Sequence, residues 1–208
     1  MKYVFYVLGI MILTFGISVT IQSDLGTSPF DALIVGLSVH AGLTVGSWEI
    51  IIAFLLICCN SMLKRQRPEF SGMITAFITG IGIDMWLFFL HRVITPELWY
   101  GKAGCFAIGL VVIGIGTATY LHTNFAPIPV DRLTLIVRDL TGRSIFFSRT
   151  VIYFIFILAL MLKGPVGIGT LLTVCLGGII LHFFMPITGR WIDGILTASP
   201  KQEETKTR

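Results

Sequence analysis

Residues 16–33 read G-I-S-V-T-I-Q-S-D-L-G-T-S-P-F-D-A-L, and residues 116–133 read G-T-A-T-Y-L-H-T-N-F-A-P-I-P-V-D-R-L. Gly16, Pro29, Asp31 and Leu33 recur as Gly116, Pro129, Asp131 and Leu133, and the same offset relates Gly9 to Gly109 and Gly42 to Gly142. Ser23, Asp24 and Leu25 meet the similar residues Thr123, Asn124 and Phe125. A fixed-period self-match of this length marks an internal duplication. Each copy is an apolar run that ends in polar residues. A Pro then suits the first turn of a new helix, and a carboxylate follows two residues later, where the helix dipole favours it. Each copy therefore reads as a broken helix pair.

The rest of the chain is apolar enough to place this element in a membrane. Of the 208 residues, 55% are hydrophobic and 12% charged, with a mean hydropathy of +0.89; soluble domains carry about 25% charged residues. The net charge of +4 does not indicate nucleic acid, because the cations sit in short connections between apolar runs, as membrane topology requires. Cys58, Cys59, Cys105 and Cys175 lie within apolar segments without metal-ligand or C-x-x-C spacing, so packing is their expected role and neither metal nor disulfide is implied.

Six spans of about 20 residues are expected, at 3–22, 45–63, 70–91, 103–122, 145–163 and 166–187. The first could pass for a secretory leader, but it is the repeat partner of 103–121 and so belongs to the fold. Two segments remain, 29–41 and 129–140. As helices they reach only about 20 Å against a hydrocarbon core of about 30 Å, so they should be re-entrant or interfacial. With the N-terminus inside, six spans leave only Arg92, Lys102 and Lys163 of the 15 Lys and Arg residues outside. Eight spans would place the Lys64–Arg67 loop opposite Lys2 and erase the bias.

Three spans per half give the halves opposite orientations. The expected fold is thus an all-α polytopic membrane protein: six transmembrane helices in two inverted-topology repeats of three spans, each with one short helix. The first repeat covers 1–100, the second 101–198, and 199–208 forms a charged, disordered cytoplasmic tail. Both termini are expected in the cytoplasm. Inverted repeats with interrupted helices characterise many secondary transporters, whose sites lie at the repeat interface.

Asp84 is the sharpest single candidate, because it lies deep in the third span among apolar residues, where a charge is costly. His182, near the equivalent place in the last span, is its candidate partner; otherwise it is a packed histidine. Asp31 and Asp131 cap the short helices or bind substrate. Asp24 would line an outer vestibule with Asp31, while Asn124 and His122 would line an inner one with Asp131. Glu49, beside Trp48 at the start of the second span, reads as an interfacial anchor. Glycine lines such as Gly72, Ala76 and Gly80 suit either static packing or a homodimer face. No catalytic signature, phosphate loop or dinucleotide fingerprint is present, so no enzyme and no cofactor are expected.

In the element L-G-T-S-P-F-D-A-L at 25–33 and its copy F-A-P-I-P-V-D-R-L at 125–133, the chain resembles the bacterial YczE/YyaS/YitT-type membrane proteins. The resemblance covers nearly the whole chain. It implies a small multi-pass protein of the bacterial cytoplasmic membrane, in a family without a defined activity. The second copy departs from the pattern at 126–128, where Ala-Pro-Ile replaces Gly-Thr-Ser. The expected function is a small permease or secondary transporter, proton- or cation-coupled, acting on a small molecule or ion. The alternative is a non-transporting scaffold or accessory protein that serves a cytoplasmic enzyme system through its basic loops and tail.

Overall fold

A computed structural model of the chain describes residues 2–160 and 167–198. Eight helices account for the regular structure among them: α1 Lys2–Gln22, α2 Pro29–Ala41, α3 Val45–Lys64, α4 Ser71–Leu90, α5 Trp99–His122, α6 Pro129–Thr141, α7 Ile145–Leu160 and α8 Ile168–Ala198. Five of these, α1, α3, α4, α5 and α8, are long and apolar enough to cross a membrane. The fold is therefore an all-helical, polytopic membrane protein. The sixth expected span is α7, described over 16 residues. The end of that span, the loop with Lys163, the first residue of the span expected from 166, and the expected tail at 199–208 lie outside the described residues.

Lipid explains the surface better than water does. Phe54, Phe77, Ile81, Phe88, Ile108, Phe154, Ile179 and Phe183 are all exposed, a density of outward apolar side chains that a soluble monomer avoids. The core instead gathers Tyr6, Ile10, Leu13 and Ile17 of α1 with Phe30 and Ile34 of α2, Ile83 of α4, Tyr120 of α5, and Ile152 and Phe156 of α7.

The short helices begin at their prolines. Ser28 caps α2 by accepting the Asp31 N–H at 3.2 Å while donating its hydroxyl to the Asp31 carboxylate at 2.5 Å. α6 begins at Pro129 after Ile128, which has no capping side chain. Two turns before each proline the chain leaves the preceding helix in the same way. The Ser23 and Thr123 hydroxyls donate to the Thr20 and Tyr120 carbonyls, each at 2.6 Å. Asp24 and Asn124 then adopt left-handed backbones, with φ of 55° and 50°. Asp and Asn are the side-chain-bearing residues that enter that region most readily, which accounts for this pair at the two breaks.

α1 and α5 form the most extensive helix pair, and they run antiparallel. A Cβ on Gly16 would meet the Gly109 carbonyl at 2.9 Å, and one on Gly116 would meet the Gly9 carbonyl at 2.9 Å and the Leu13 nitrogen at 2.3 Å. Only glycine permits this approach. Around the pair, α4 packs on α1 and α8 on α5, while α2 reaches α3 and α7 and α6 reaches α7 and α3. Thr14 of α1 lies against Gly82 of α4, and Gly114 of α5 lies against Ile180 of α8. Large and small partners are thus exchanged between corresponding contacts.

α8 continues eleven residues beyond the expected end at 187, passing through Pro186. A proline removes one ladder hydrogen bond, a loss that helices in membranes tolerate when neighbouring groups compensate. Asp193 in the extension bonds His122 at 3.1 Å, tying the extra turns to the end of α5.

Candidate functional site

Between α1, α2, α5, α6, α7 and α8 lies a cavity of about 130 Å³, which both short helices address with their first turns. Asp31 reaches it from α2 and Asp131 from α6. The two sites expected at separate mouths therefore border one space. Tyr120, Arg149 and Tyr153 line it as well.

The two carboxylates are held differently. Asp131 accepts from the Tyr120 hydroxyl at 2.7 Å and from Arg149 Nη2 at 3.1 Å. Tyr120 is fully buried, so its hydroxyl needs such an acceptor. The Arg149 guanidinium also lies over the Tyr153 ring, 5.7 Å from its centroid. Asp31 is buried, and among the described residues no cation pairs with it. Its bonds come from the Ser28 and Thr27 hydroxyls, at 2.5 and 3.4 Å. A second buried acid, Glu49 of α3, 2% exposed, lies near enough for a charge on either carboxylate to oppose one on the other.

Arg149 and Glu49 occupy corresponding places, each four residues after the first residue of its helix, Ile145 or Val45. One copy thus sets an acid against its short-helix Asp, and the other sets a base. The sequence reading puts Arg149 on the cytoplasmic side and Glu49 at the interface, because each lies one turn from a connection; in the structure Arg149 lines the cavity and Glu49 is buried beside Asp31. Their shared offset and opposite charge were the available signal. The first turn of α3 packs closely on α4, where a Cβ on Gly46 would stand 2.0 Å from the Gly80 carbonyl, and Glu49, one turn on, is buried.

The same close approach gives Asp84 a partner the sequence did not reveal. Its carboxylate accepts from the Gly46 N–H at 2.8 Å and the Thr44 hydroxyl at 2.6 Å, closing the amino end of α3. Asp84 does not line the cavity. His182 is exposed on α8 and makes no hydrogen bond to Asp84. The remaining candidates sit at the ends of the bundle. Asp24 pairs with Lys102 at 2.6 Å, His122 pairs with Asp193, and Asn124 is exposed. Among the described residues no group of three or more His, Cys, Asp or Glu side chains could hold a metal.

A family model described as a family of unknown function, DUF6198, matches residues 1–186. The chain is 61% identical over 191 residues to the protein named uncharacterized protein YyaS of Bacillus subtilis (strain 168), covering 91% of this chain and 95% of that one. It is 35% identical over 188 residues to the uncharacterized membrane protein YczE of the same organism, covering 89% and 86%. An uncharacterized protein of Haemophilus influenzae is 26% identical over 181 residues, covering 86% and 81%. No solved structure matches. With YyaS and YczE as relatives along almost its whole length, the chain belongs to the DUF6198 family of membrane proteins.

Proposed function

We propose that this protein is a small permease or secondary transporter, built as an inverted repeat of three spans and one broken short helix per half, with its site in the cavity between Asp31 and Asp131. The observation that carries the proposal is the convergence of both first-turn carboxylates on one buried space beside a cation, Arg149. Support for the repeat comes from matching helix starts at 29 and 129 and at 45 and 145, with 71 and 168 three positions closer. The antiparallel crossing of α1 with its copy α5 is the contact an in-plane two-fold axis would generate.

Charge favours a cation or protons as the species handled. Asp31 and Asp131 line the cavity with one guanidinium, Arg149, which pairs with Asp131, and Glu49 lies buried near Asp31 outside the lining; an excess of buried acid is stable only if protons or a cation offset it. The cavity has room for several waters or one small ion with part of its shell. No step requires covalent chemistry, so no enzyme activity is proposed.

The test is thermal-shift screening of purified protein against inorganic cations, small amines and organic anions, since a ligand that binds only the native state raises its stability. A cationic ligand should stabilise the wild type, and the gain should vanish in Asp31→Asn with the unliganded melting point retained. Stabilisation by anions alone, or a cation gain that survives both Asp31→Asn and Asp131→Asn, would remove the proposal.

A further inference from the structure

Away from the cavity, a second pocket opens where the carboxyl end of α3, the α3–α4 connection and the start of α6 meet. Lys64, Arg67 and Arg132 line it, against one carboxylate, Glu69, which pairs with Arg132. Three cations and one acid leave the pocket electropositive. At its wall lies Asn60, 8% exposed. The Asn60 Nδ2 donates to the Pro129 carbonyl at 3.1 Å, which fixes the amide. Its Oδ1 is buried and has no hydrogen-bond partner, alone in this respect among the described side chains. A buried acceptor without a donor costs about 1–3 kcal/mol in general, so such an atom marks a place where a donor belongs.

We propose that this pocket binds a phosphate ester that also carries an O–H or N–H donor, with the phosphate against Lys64, Arg67 and Arg132 and the donor against Asn60 Oδ1. The inner part of this open pocket, about 30 Å³, has room for about one polar group, so most of a larger ligand would lie outside it. The polar end of a larger molecule fits better. Met62, Leu63 and Phe70, next in sequence to the lining residues, are exposed apolar side chains suited to acyl chains. An anionic phospholipid with a hydroxylated headgroup combines these features, and lysines and arginines at a membrane surface favour such lipids. The site is independent of whether the central cavity transports anything.

The experiment measures binding of dioctanoyl phosphatidylglycerol to the purified full chain in neutral detergent by native mass spectrometry. Dioctanoyl phosphatidylmethanol, equal in charge but without the headgroup hydroxyls, and sn-glycerol 3-phosphate serve as the other ligands. Phosphatidylglycerol should bind about five- to tenfold more tightly than phosphatidylmethanol, the value of one hydrogen bond to a buried acceptor. The double variant Lys64→Gln, Arg67→Gln, altered only at the rim, should weaken it about thirtyfold, each cation near a phosphate being worth about a factor of five. Binding of glycerol 3-phosphate with the same sensitivity to the double variant would keep the site and assign it a soluble ligand. Equal binding of the two lipids, or unchanged binding by the double variant, would overturn the proposal.

Discussion

Gly116→Ala should lower stability although alanine is the better helix former. The added Cβ would stand 2.3 Å from the Leu13 nitrogen and 2.6 Å from the Leu13 Cα. Ordinary contact begins near 3.4 Å, so α1 and α5 must part by roughly an ångström at their closest point. Both obstructing atoms are backbone and cannot swing aside, and separation loosens the largest helix pairing in the molecule. Overpacking of this kind costs about 1–3 kcal/mol, and more when the backbone must move. Alanine returns up to about 1 kcal/mol of helix propensity. Gly104 supplies the internal control. It lies in the same helix with nothing within 4 Å of its would-be Cβ, so Gly104→Ala gains the propensity without the clash. The propensity gain is common to both variants, so they should differ by the overpacking cost, about 1–3 kcal/mol, or about 2–12 °C in melting temperature for a chain of this size. Thermal unfolding of detergent-purified protein, followed by circular dichroism, measures the difference. Equal or higher stability of Gly116→Ala would mean that the α1–α5 crossing is looser than described and that its glycines are not needed for contact.

Arg149→Met leaves Asp131 with only the Tyr120 hydroxyl and should cost about 3 kcal/mol in unfolding measurements, whereas Arg149→Met combined with Asp131→Leu should recover much of that loss. Asp84→Leu removes the acceptor at the amino end of α3 and should cost about 1–2 kcal/mol by the same measurement. Asp84→Asn, which still accepts from Gly46, should cost less than half as much, and ligand stabilisation should survive it because Asp84 lies outside the cavity lining. Single cysteine reporters at Gln66 and Pro96, in the connections on either side of α4, should react from opposite faces of the membrane in intact cells, with Pro96 outside. Labelling of both from one side would refute α4 as a span.

Much of the helix layout was legible because it follows from few constraints. Runs near the bilayer length mark the long helices, and prolines at repeated positions mark the short ones. The site was only half legible. Asp31 and Asp131 stood out through repetition, yet their convergence depends on how α2 and α6 reach across to α7 and α3, contacts between residues remote in sequence. Arg149 and Glu49 escape because a count of charges near helix ends cannot tell a side chain that faces water from one that the next helix covers. Asp84 misled for a related reason. Its depth in α4 suggested isolation, but the Gly46–Gly80 contact brings free backbone N–H groups of another helix to the same level. Tyr120 was hidden because its counterpart is Thr20, whose hydroxyl turns inward to the Ile17 carbonyl at 2.7 Å.

The opposed charges at 49 and 149 bear on how such a molecule can arise. Two separate copies of one half-length chain, meeting face to face, must present the same side chain on both sides of the contact. The residue beside the short-helix Asp would then be an acid in both copies or a base in both. Joining the copies in one polypeptide lifts that restriction, and each half can then change alone. Glu49 beside Asp31, with Arg149 beside Asp131, is a combination open to a single chain and closed to a pair of identical halves. The difference in charge beside the two short-helix carboxylates is in that sense available only to one continuous polypeptide.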